Sequence, residues 1–439
     1  MYENKKILIL GAARSGIAVA KLLAKYNNDI VLSDVVEIDY KIKNELENLG
    51  IKVITGEDQI SLLDDGYDLI IKNPAIMYTS KLTKKMQELN LRVENEMEVA
   101  YHFLPKNCFI IGITGSNGKT TTTTILYELL KRSEKKVVLG GNIGTPLSDL
   151  VLNVQENDIL LLEISDHQLV DFNDFKTNIS LLTNICPTHL DYHGNYEHYM
   201  LTKKKIFNNH TSLDLAIINE ENADSLKITN NLKAKKIYFN NEVNYINEIG
   251  IFVNNELIIK LEDILLKGKH NYDNILAALI ILNEFGIDKD VVKEFLQSFG
   301  GVEHRLEFVA EKNKVKFYND SKATNPTATI TALKTFNDDI HLILGGQERN
   351  QDFHELDDYM QHVKYIYAIG TVTKRVKEYA NEINIPCFLC FDLKTALEKI
   401  KENMQENEIV LLSTASASQD FYAKFEDRGN EFKNLVAKI

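Results

Sequence analysis

A glycine-rich turn between a strand-like run and a helix-like run is the pattern with the clearest chemistry in this sequence. The stretch GITGSNGKTT, residues 112–121, has that context. Such a turn directs backbone N–H groups at an anion, and the dipole of the following helix favours negative charge there. Lys119 would reach the outer phosphates, and Thr120 would place a hydroxyl on Mg²⁺. The stretch therefore predicts a nucleoside-triphosphate site.

The turn departs from the general phosphate loop at one position. The general loop has glycine where this sequence has Ile113, and glycines stand instead at positions 112, 115 and 118. A glycine turn beside a surface lysine is the alternative interpretation, which the strand–loop–helix context disfavours. The residues predicted to contact the triphosphate within the turn are Gly115, Ser116, Asn117, Gly118, Lys119, Thr120 and Thr121.

Composition restricts the class of protein. A chain of 439 residues with 44% hydrophobic and 26% charged residues is typical of a soluble globular protein with two to four domains. The net charge of −13 argues against a general role on nucleic acids or membrane surfaces. No apolar run approaches the roughly 18 residues that a membrane span needs, and the N-terminus lacks the features of a signal peptide. A cytoplasmic location is expected.

Strand-like and helix-like segments alternate almost throughout, which predicts an α/β protein with mainly parallel sheets. We expect three domains, at residues 1–97, 98–302 and 303–439. The first and third resemble Rossmann-type nucleotide folds, and the central one carries the phosphate loop. The stretch GKHNYDNILAALIILNEFG, from residue 268, is apolar on most sides and predicts a buried helix.

The N-terminal stretch LGAARSG is a degraded dinucleotide fingerprint. Gly11, Ser15 and Gly16 fit it, but Ala13 replaces the middle glycine. The turn could seat a pyrophosphate at a helix N-terminus, with Asp34 at the end of the second strand contacting a base or ribose. Taken alone, these first residues would also suit a dinucleotide-dependent oxidoreductase.

The displaced glycine of the phosphate loop resembles the ATP loop of the Mur ligase family, and the resemblance extends over the whole chain. Further motifs follow in the family's order. They are GNIGTPL (141–147), LLEISDHQL (161–169), THLDYHGNYEHYMLTKKKIF (188–207), GKHNYDNILAA, GVEHRLE, YNDSKATNP and STASASQDFYAKFEDRG. The LGAARSG domain and the two C-terminal motifs look most like the branch of the family that adds D-glutamate.

This resemblance implies an ATP-dependent acid–amino-acid ligase. It would add D-glutamate to UDP-N-acetylmuramoyl-L-alanine through an acyl phosphate, in the cytoplasmic part of peptidoglycan synthesis, and so serve cell-wall biogenesis, cell shape and cell division. The implied cofactors are ATP, two Mg²⁺ ions and a CO₂-derived carbamate on Lys203. The partners would be these small molecules, with no nucleic acid and no membrane, and we expect a monomer.

The resemblance also assigns the catalytic and metal-binding residues. Three consecutive lysines stand at 203–205, and composition does not choose among them, whereas the order of the motif favours Lys203. The implied catalytic residues are Lys119, Glu163, His189, Lys203 and Lys322. The implied metal ligands are Thr120, Glu163, His189 and carbamylated Lys203.

The remaining implied contacts fall into three groups, one for each substrate. ATP would also meet Asn271, Arg305 and Asp320. The UDP-muramoyl-alanine substrate would meet Gly11, Ser15, Gly16, Asp34, Asn73, Pro74 and Asn142. D-Glutamate would meet Thr324, Arg349, Ser418 and Phe425.

Two departures from the family's pattern lie beside the predicted active site. Asp166 and His167 stand where relatives commonly carry a serine and an aromatic residue, and STASAS replaces a more usual proline-alanine-cysteine run. The alternatives left open are a folylpolyglutamate-type synthetase, a sister Mur ligase, and a nucleotide-gated regulatory protein without ligase activity.

Overall fold

The computed structural model describes residues 2–439 and divides the chain into two compact units, residues 1–297 and 298–439. Both units alternate strands with helices around mainly parallel sheets, which confirms the predicted α/β class. The predicted domain bounds at 97 and 302 stay predictions, because the first unit takes in the sheets of both predicted N-terminal parts. Among residues 2–439, no helix is both long and apolar enough to cross a lipid bilayer.

A five-stranded parallel sheet occupies the N-terminal part of the first unit, in the order β3-β2-β1-β4-β5. Its strands are β1 (Lys6–Leu10), β2 (Asp29–Asp34), β3 (Lys52–Thr55), β4 (Leu69–Lys72) and β5 (Val93–Glu94). Its helices are α1 (Arg14–Leu23), α2 (Tyr40–Asn48), α3 (Gln59–Leu62), α4 (Lys81–Glu88) and α5 (Glu96–Tyr101). The continuous apolar run of β1 suits a strand buried on both faces.

The winding of this sheet reverses between β1 and β4, and such a switch opens a crevice at the carboxyl ends of the strands. Gly11 directly follows β1, and Asn73 directly follows β4. Gly11 has φ 103°, and a Cβ there would lie 2.6 Å from the Cβ of Asn73. Only glycine lets these two predicted substrate-binding turns approach each other so closely.

A six-stranded parallel sheet follows in the same unit, in the order β11-β10-β9-β6-β8-β7. Its strands are β6 (Phe109–Thr114), β7 (Val137–Gly141), β8 (Ile159–Glu163), β9 (Ile179–Leu182), β10 (Leu215–Asn219) and β11 (Lys235–Phe239). Its helices are α6 (Lys119–Arg132), α7 (Leu147–Leu150), α8 (Asp166–Leu169), α9 (Leu190–His193), α10 (Tyr196–Lys204) and α11 (Ala223–Thr229). Because β6 lies between β8 and β9, the segments that follow these three strands meet at one edge.

A small antiparallel sheet, which the sequence did not predict, completes the first unit. It consists of β12 (Tyr245–Ile246), β13 (Gly250–Val253) and β14 (Glu256–Lys260). Two helices follow, α12 (Lys269–Asn283) and α13 (Lys289–Ser298). Every residue from Asn274 to Leu282 in α12 is buried, and α12 packs on α6, which confirms the predicted buried helix.

The second unit contains a six-stranded sheet in the order β15-β16-β20-β17-β18-β19, with only β15 antiparallel to its neighbour. Its strands are β15 (Glu307–Lys312), β16 (Val315–Asn319), β17 (Ile340–Gly345), β18 (Val363–Ile369), β19 (Cys387–Phe391) and β20 (Ile409–Leu412). Its helices are α14 (Pro326–Leu333), α15 (Thr373–Glu382), α16 (Leu393–Asn403) and α17 (Phe425–Val436). The carboxyl ends of β16, β20 and β17 lie side by side.

Buried charged groups connect the two parallel sheets of the first unit. The Glu98 carboxylate, 1% exposed, accepts backbone N–H groups of Asn173 (3.1 Å), Asp174 (2.6 Å) and Phe175 (3.1 Å). The Lys72 ammonium lies 3.0 Å from the Asp171 carboxylate, with both side chains almost completely buried. Burial removes water from these charged groups, and the hydrogen bonds and the ion pair compensate for the lost hydration.

Replacing Glu98 with alanine is expected to lower the free energy of unfolding by about 3 kcal/mol or more, because several buried N–H groups lose a charged acceptor. Urea unfolding followed by far-UV circular dichroism measures the loss. Glu88→Ala removes an exposed carboxylate from α4 and serves as the matched control. Equal effects of the two substitutions would contradict the assigned role of Glu98.

Candidate active site

The glycine-rich turn connects β6 to α6, as the sequence predicted. Gly118 has φ 82° and directly precedes the first helical residue, Lys119. The Lys119 ammonium folds back over the turn and donates to the carbonyls of Gly115 (2.7 Å) and Ser116 (3.0 Å). A cation fixed at a helix N-terminus beside these N–H groups is suited to bind phosphate.

The segment after β9 holds the turn in place. Asn184 accepts the backbone N–H of Ser116 at its own carbonyl (2.9 Å) and that of Asn117 at its Oδ1 (3.0 Å). Thr183 donates its hydroxyl to the Asn117 carbonyl (2.6 Å). The sequence analysis did not assign these two residues, although a polar pair directly after a buried strand is a signal that could have found them.

A small cleft of about 90 Å³ lies beside the turn. It is lined by Asn117, Gly118 and Asn274, together with Asn184, Asn219, Phe239 and His270. Asn271 lies one turn before Asn274 on α12, and its amide donates to the Lys267 carbonyl (2.8 Å). At the start of α6, Thr120 is 7% exposed and Thr121 is partly buried.

Glu163 ends β8 at the same edge of the sheet and is 1% exposed. Its Oε1 accepts the side-chain amide of Asn142 (2.7 Å), while its Oε2 is buried with no hydrogen-bond partner among residues 2–439. A buried carboxylate oxygen without a donor is costly. An oxygen-seeking cation at this oxygen would remove that cost, so the residues present fit the implied Mg²⁺.

Asp166, the first residue of α8, lies at the centre of a cluster that joins the predicted residues His189 and Lys203 to His193, and neither Asp166 nor His193 was predicted from the sequence. Its Oδ2 lies 2.9 Å from His189 Nδ1 and 2.9 Å from His193 Nε2. Its Oδ1 accepts the Lys203 ammonium at 3.2 Å. The sequence signal for Asp166 was its departure, with His167, from the family's pattern.

Lys203 is the fully buried member of the three consecutive lysines, whereas Lys204 and Lys205 are partly exposed. Besides Asp166, its ammonium meets the Thr114 hydroxyl (3.2 Å) and the Gly115 carbonyl (3.0 Å). Lys203 therefore lies directly beneath the phosphate-binding turn.

Burial and charge act in opposite directions in this cluster. Burial would raise the pKa of Asp166, but hydrogen bonds from His189 and His193 and the charge of Lys203 hold it far below its usual range. Burial, together with the Lys119 charge, lowers the pKa of Lys203 to about 7. Burial lowers the pKa of His167 to about 4, so this imidazole is neutral at physiological pH.

A larger cavity, of about 710 Å³, opens where the two parallel sheets of the first unit face each other. Predicted substrate residues that line it are Ser15, Asn73, Pro74 and Asn142, and the predicted metal ligand His189 lines it as well. Gly11 lies in the turn after β1 and Gly16 in the first turn of α1, where a Cβ on Gly16 would meet the Gly11 carbonyl at 1.9 Å. Asp34 is engaged by the same turn, because its carboxylate accepts the backbone N–H of Ala12 (2.6 Å).

In the second unit, the predicted residues follow the adjacent strands β16, β20 and β17. Arg349 is exposed, and its guanidinium donates to the amide oxygens of Gln347 (3.1 Å) and Gln419 (3.2 Å). The Ser418 hydroxyl oxygen is buried without a hydrogen-bond partner among the described residues. These donors suit a carboxylate-bearing ligand.

Other predicted residues surround the same edge of the second unit. Asp320 is 5% exposed, and burial raises its pKa to about 7 although Ser413 donates to it (2.7 Å). The remaining residues are Arg305, which is exposed, and Lys322, Thr324 and Phe425, which are partly buried.

Arg428 is a buried residue of the second unit that the sequence analysis quoted but did not assign. Its guanidinium, 1% exposed, donates to the hydroxyl and carbonyl of Ser321 and to the carbonyl of Ser416. It therefore fixes the segments that follow β16 and β20 relative to each other. Its place in the motif FEDRG was the available signal.

Family models match most of the chain. Residues 113–282 match the Mur ligase middle domain, and residues 304–416 match the Mur ligase glutamate ligase domain. A UDP-N-acetylmuramoylalanine–D-glutamate ligase of Geobacillus sp. (strain WCH70) is 39% identical over 100% of this chain and 98% of its own length. The enzyme of the same name from Streptococcus agalactiae serotype III (strain NEM316) is 39% identical over 98% of this chain and 96% of its own.

Solved structures show the same fold. UDP-N-acetylmuramate-alanine ligase MurC from Thermotoga maritima aligns with a TM-score of 0.56 at 20% identity, over 99% of each chain. MurF ligase from Thermotoga maritima, solved in complex with ADP, aligns with a TM-score of 0.55 at 18% identity, over 94% of this chain and 97% of its own.

Gly118→Ala is expected to weaken binding of a fluorescent ATP analogue at least about tenfold, because the added Cβ strains a left-handed residue and would lie 2.1 Å from Asn274 Oδ1. The matched control is Gly286→Ala, a glycine with φ 63° and no atom within 4 Å of the added Cβ. If both variants bound the analogue as the unmodified protein does, the turn would not be the nucleotide site.

Proposed function

The chain belongs to the Mur ligase family, and we propose that it joins D-glutamate to UDP-N-acetylmuramoyl-L-alanine with ATP as the energy source. Relatives that share 37–39% of their residues along nearly the whole chain are named for this activity. The observation that carries the proposal is the buried, unpartnered oxygen of Glu163 beside the phosphate-binding turn. A carboxylate so placed could hold Mg²⁺ against the phosphates, as phosphoryl transfer requires.

The reaction would proceed in two steps. A substrate carboxylate oxygen attacks the γ-phosphorus of ATP, and ADP leaves with the electrons of the broken bond. The amine nitrogen of D-glutamate then attacks the resulting acyl carbon, phosphate leaves, and the nitrogen loses a proton as the amide forms. The turn 115–118 would orient the phosphates, and Lys119 would oppose their developing charge.

A divalent metal ion would be held at the carboxyl ends of β6, β8 and β9, beside the glycine-rich turn. Thr120, Glu163 and His189 offer a hydroxyl, a carboxylate and an imidazole there, and Mg²⁺ would supply charge neutralisation across the phosphates. Lys203 would join them if its amine carried a carbamate, which turns a cation into an oxygen ligand and would replace the ammonium contact with Asp166. Its complete burial beneath the turn, in contrast to Lys204 and Lys205, supports its assignment to this position.

The cavity of about 710 Å³ has the size and lining for the UDP-muramoyl-alanine substrate. Its glycine turn after β1 would receive the pyrophosphate, since helix N-termini favour anions. Asn142 and His189 line the same cavity. Asn142 contacts Glu163, and His189 contacts Asp166. The acceptor end of the substrate would therefore lie near the γ-phosphate.

The second unit would supply the amino-acid site. Arg349 and Ser418 would hold the carboxylates of D-glutamate, with Thr324 and Phe425 beside them. Arg305, Asp320 and Lys322 stay predicted contacts to ATP, as does Asn271. A cytoplasmic location and a monomeric state stay predictions, as does the place of the reaction in cell-wall synthesis.

The proposed activity is tested by phosphate release with UDP-N-acetylmuramoyl-L-alanine, ATP and one amino acid at a time. We expect turnover with D-glutamate, and at least about a hundredfold less with L-glutamate, meso-diaminopimelate or lysine, because a site that pairs charged groups rejects ligands that misplace them. Turnover only with another amino acid would instead indicate a sister ligase.

The same assay tests the amino-acid site with Arg349→Ala. Loss of the guanidinium should raise the KM for D-glutamate at least about tenfold while the KM for ATP stays near its original value. Arg375→Ala, which removes an arginine that pairs with Glu348, is the matched control. Equal increases in both KM values would contradict the assignment.

Lys203→Ala is expected to lower kcat/KM at least about a hundredfold, because an anionic group beside the phosphates is lost. Short-chain carboxylic acids, which replace a carbamate, should restore part of the activity. Lys204→Ala is the adjacent control and should keep most of it. Full activity in Lys203→Ala, or loss without rescue by any carboxylic acid, would contradict a carbamate at this position.

A further inference from the structure

Two imidazoles and a buried carboxylate converge on one point of the first unit. Candidate ligand atoms of Asp166, His167 and His189 all lie within 4.8 Å of one another. Asp166 Oδ2 is 2.9 Å from His189 Nδ1 and 3.9 Å from His167 Nδ1. The ring centroids of His167 and His189 are 4.8 Å apart. Neither Asp166 nor His167 belongs to the metal ligands proposed above.

These separations match those around a single ion. A transition-metal ion binds imidazole nitrogen and carboxylate oxygen at roughly 2.0–2.2 Å, so its ligand atoms lie roughly 3 to 4 Å from one another. The separations from Asp166 Oδ2 already fall near that range. Small side-chain rotations would therefore bring all three ligand atoms to one ion without any shift of α8.

The two imidazoles are partly exposed, so an ion could reach the cluster from solvent. The Asp166 side chain is 2% exposed, whereas those of His167 and His189 are 28% and 46% exposed. Both imidazoles line the cavity of about 710 Å³, together with Ser165 and Tyr192. The site is thus a buried carboxylate whose open side is covered by two accessible imidazoles.

The surrounding contacts fix the carboxylate. Ser165 closes a capping box with Gln168 at the start of α8, which sets the backbone of Asp166. Lys203 occupies the other oxygen of Asp166, Oδ1, and so leaves Oδ2 facing the imidazoles. His193 Nε2 also contacts Oδ2 (2.9 Å), but its side chain is 0% exposed and does not line the cavity, so His193 is a positioning residue.

A second cluster with similar residue types does not carry the same inference. Ligand atoms of Glu98, His102 and Asp174 also lie within 4.8 Å of one another. However, the Glu98 carboxylate accepts backbone N–H groups on both oxygens, and these groups cannot become metal ligands, whereas the imidazoles that contact Asp166 can. A metal ion there would break bonds that hold the two parallel sheets together.

Ligand chemistry decides the class of ion. Mg²⁺ prefers oxygen ligands and loses its water reluctantly, whereas imidazole favours transition-metal ions in the order Mn²⁺, Co²⁺, Ni²⁺ and then Cu²⁺. We propose that Asp166, His167 and His189 form a binding site for a divalent transition-metal ion, preferred over Mg²⁺. The inference deepens the proposed function and rests on it, because His189 already belongs to the proposed metal set.

Co²⁺ is the probe, because its visible absorption reports coordination without any need for turnover. Full-length protein, treated with a chelator and then titrated without ATP, should bind one Co²⁺ per chain in the presence of a large excess of Mg²⁺. His167→Phe and Asp166→Ser should each weaken Co²⁺ binding at least about tenfold, as expected for loss of a ligand. His354→Phe, which removes an exposed histidine of the second unit, should bind Co²⁺ unchanged.

Asp166 is buried, so circular dichroism of Asp166→Ser and of the more conservative Asp166→Asn accompanies the titration. His167 is accessible, and His167→Phe tests the site independently of folding. Unchanged Co²⁺ affinity in His167→Phe would overturn the proposal, as would displacement of Co²⁺ by an equal concentration of Mg²⁺. Co²⁺ bound as expected in a protein that shows no ligase turnover would support the site and contradict the proposed function alone.

Discussion

Parallel pairing of β6 with β8 and β9 is the constraint on which the site of the first unit depends. Parallel strands end at the same edge of a sheet, so the glycine turn, Glu163 and the Thr183–Asn184 pair are brought together although they are far apart in the chain. The hydrophobic residues of the three strands thus determine where the polar groups at the strand ends lie. Shifting β8 by one residue would turn the Glu163 side chain to the opposite face of the sheet.

The buried Asp166 carboxylate organises the charged groups of the site. Asp166 is almost fully buried, and it retains its charge because His189, His193 and Lys203 surround it. The same carboxylate anchors Lys203 beneath the phosphate-binding turn, so a single anion orders a cation on one side and imidazoles on the other. A serine at this position could accept hydrogen bonds but could not balance a buried ammonium.

The sequence was sufficient to predict the α/β class with mainly parallel sheets, the buried helix α12 and the glycine-rich turn between β6 and α6. Continuous apolar runs and glycine turns encode these features locally. It was not sufficient for the small antiparallel sheet, in which β12 has two residues and β14 is half-exposed. The roles of Asn184, Asp166 and Arg428 were missed for a related reason, since each acts through contacts with residues distant in the chain.

The carboxylate of Glu98 has a consequence for how this chain could have arisen. Nucleotide-binding sheets with the strand order of β1–β5 are widespread modules, and exchange of one for another is an attractive route to new substrates. In this protein, however, an incoming module would have to bring an acidic side chain to the place of Glu98 and a buried cation to the place of Lys72. A sheet exchanged at this junction would therefore keep these buried contacts only if it carried matching charges at both positions.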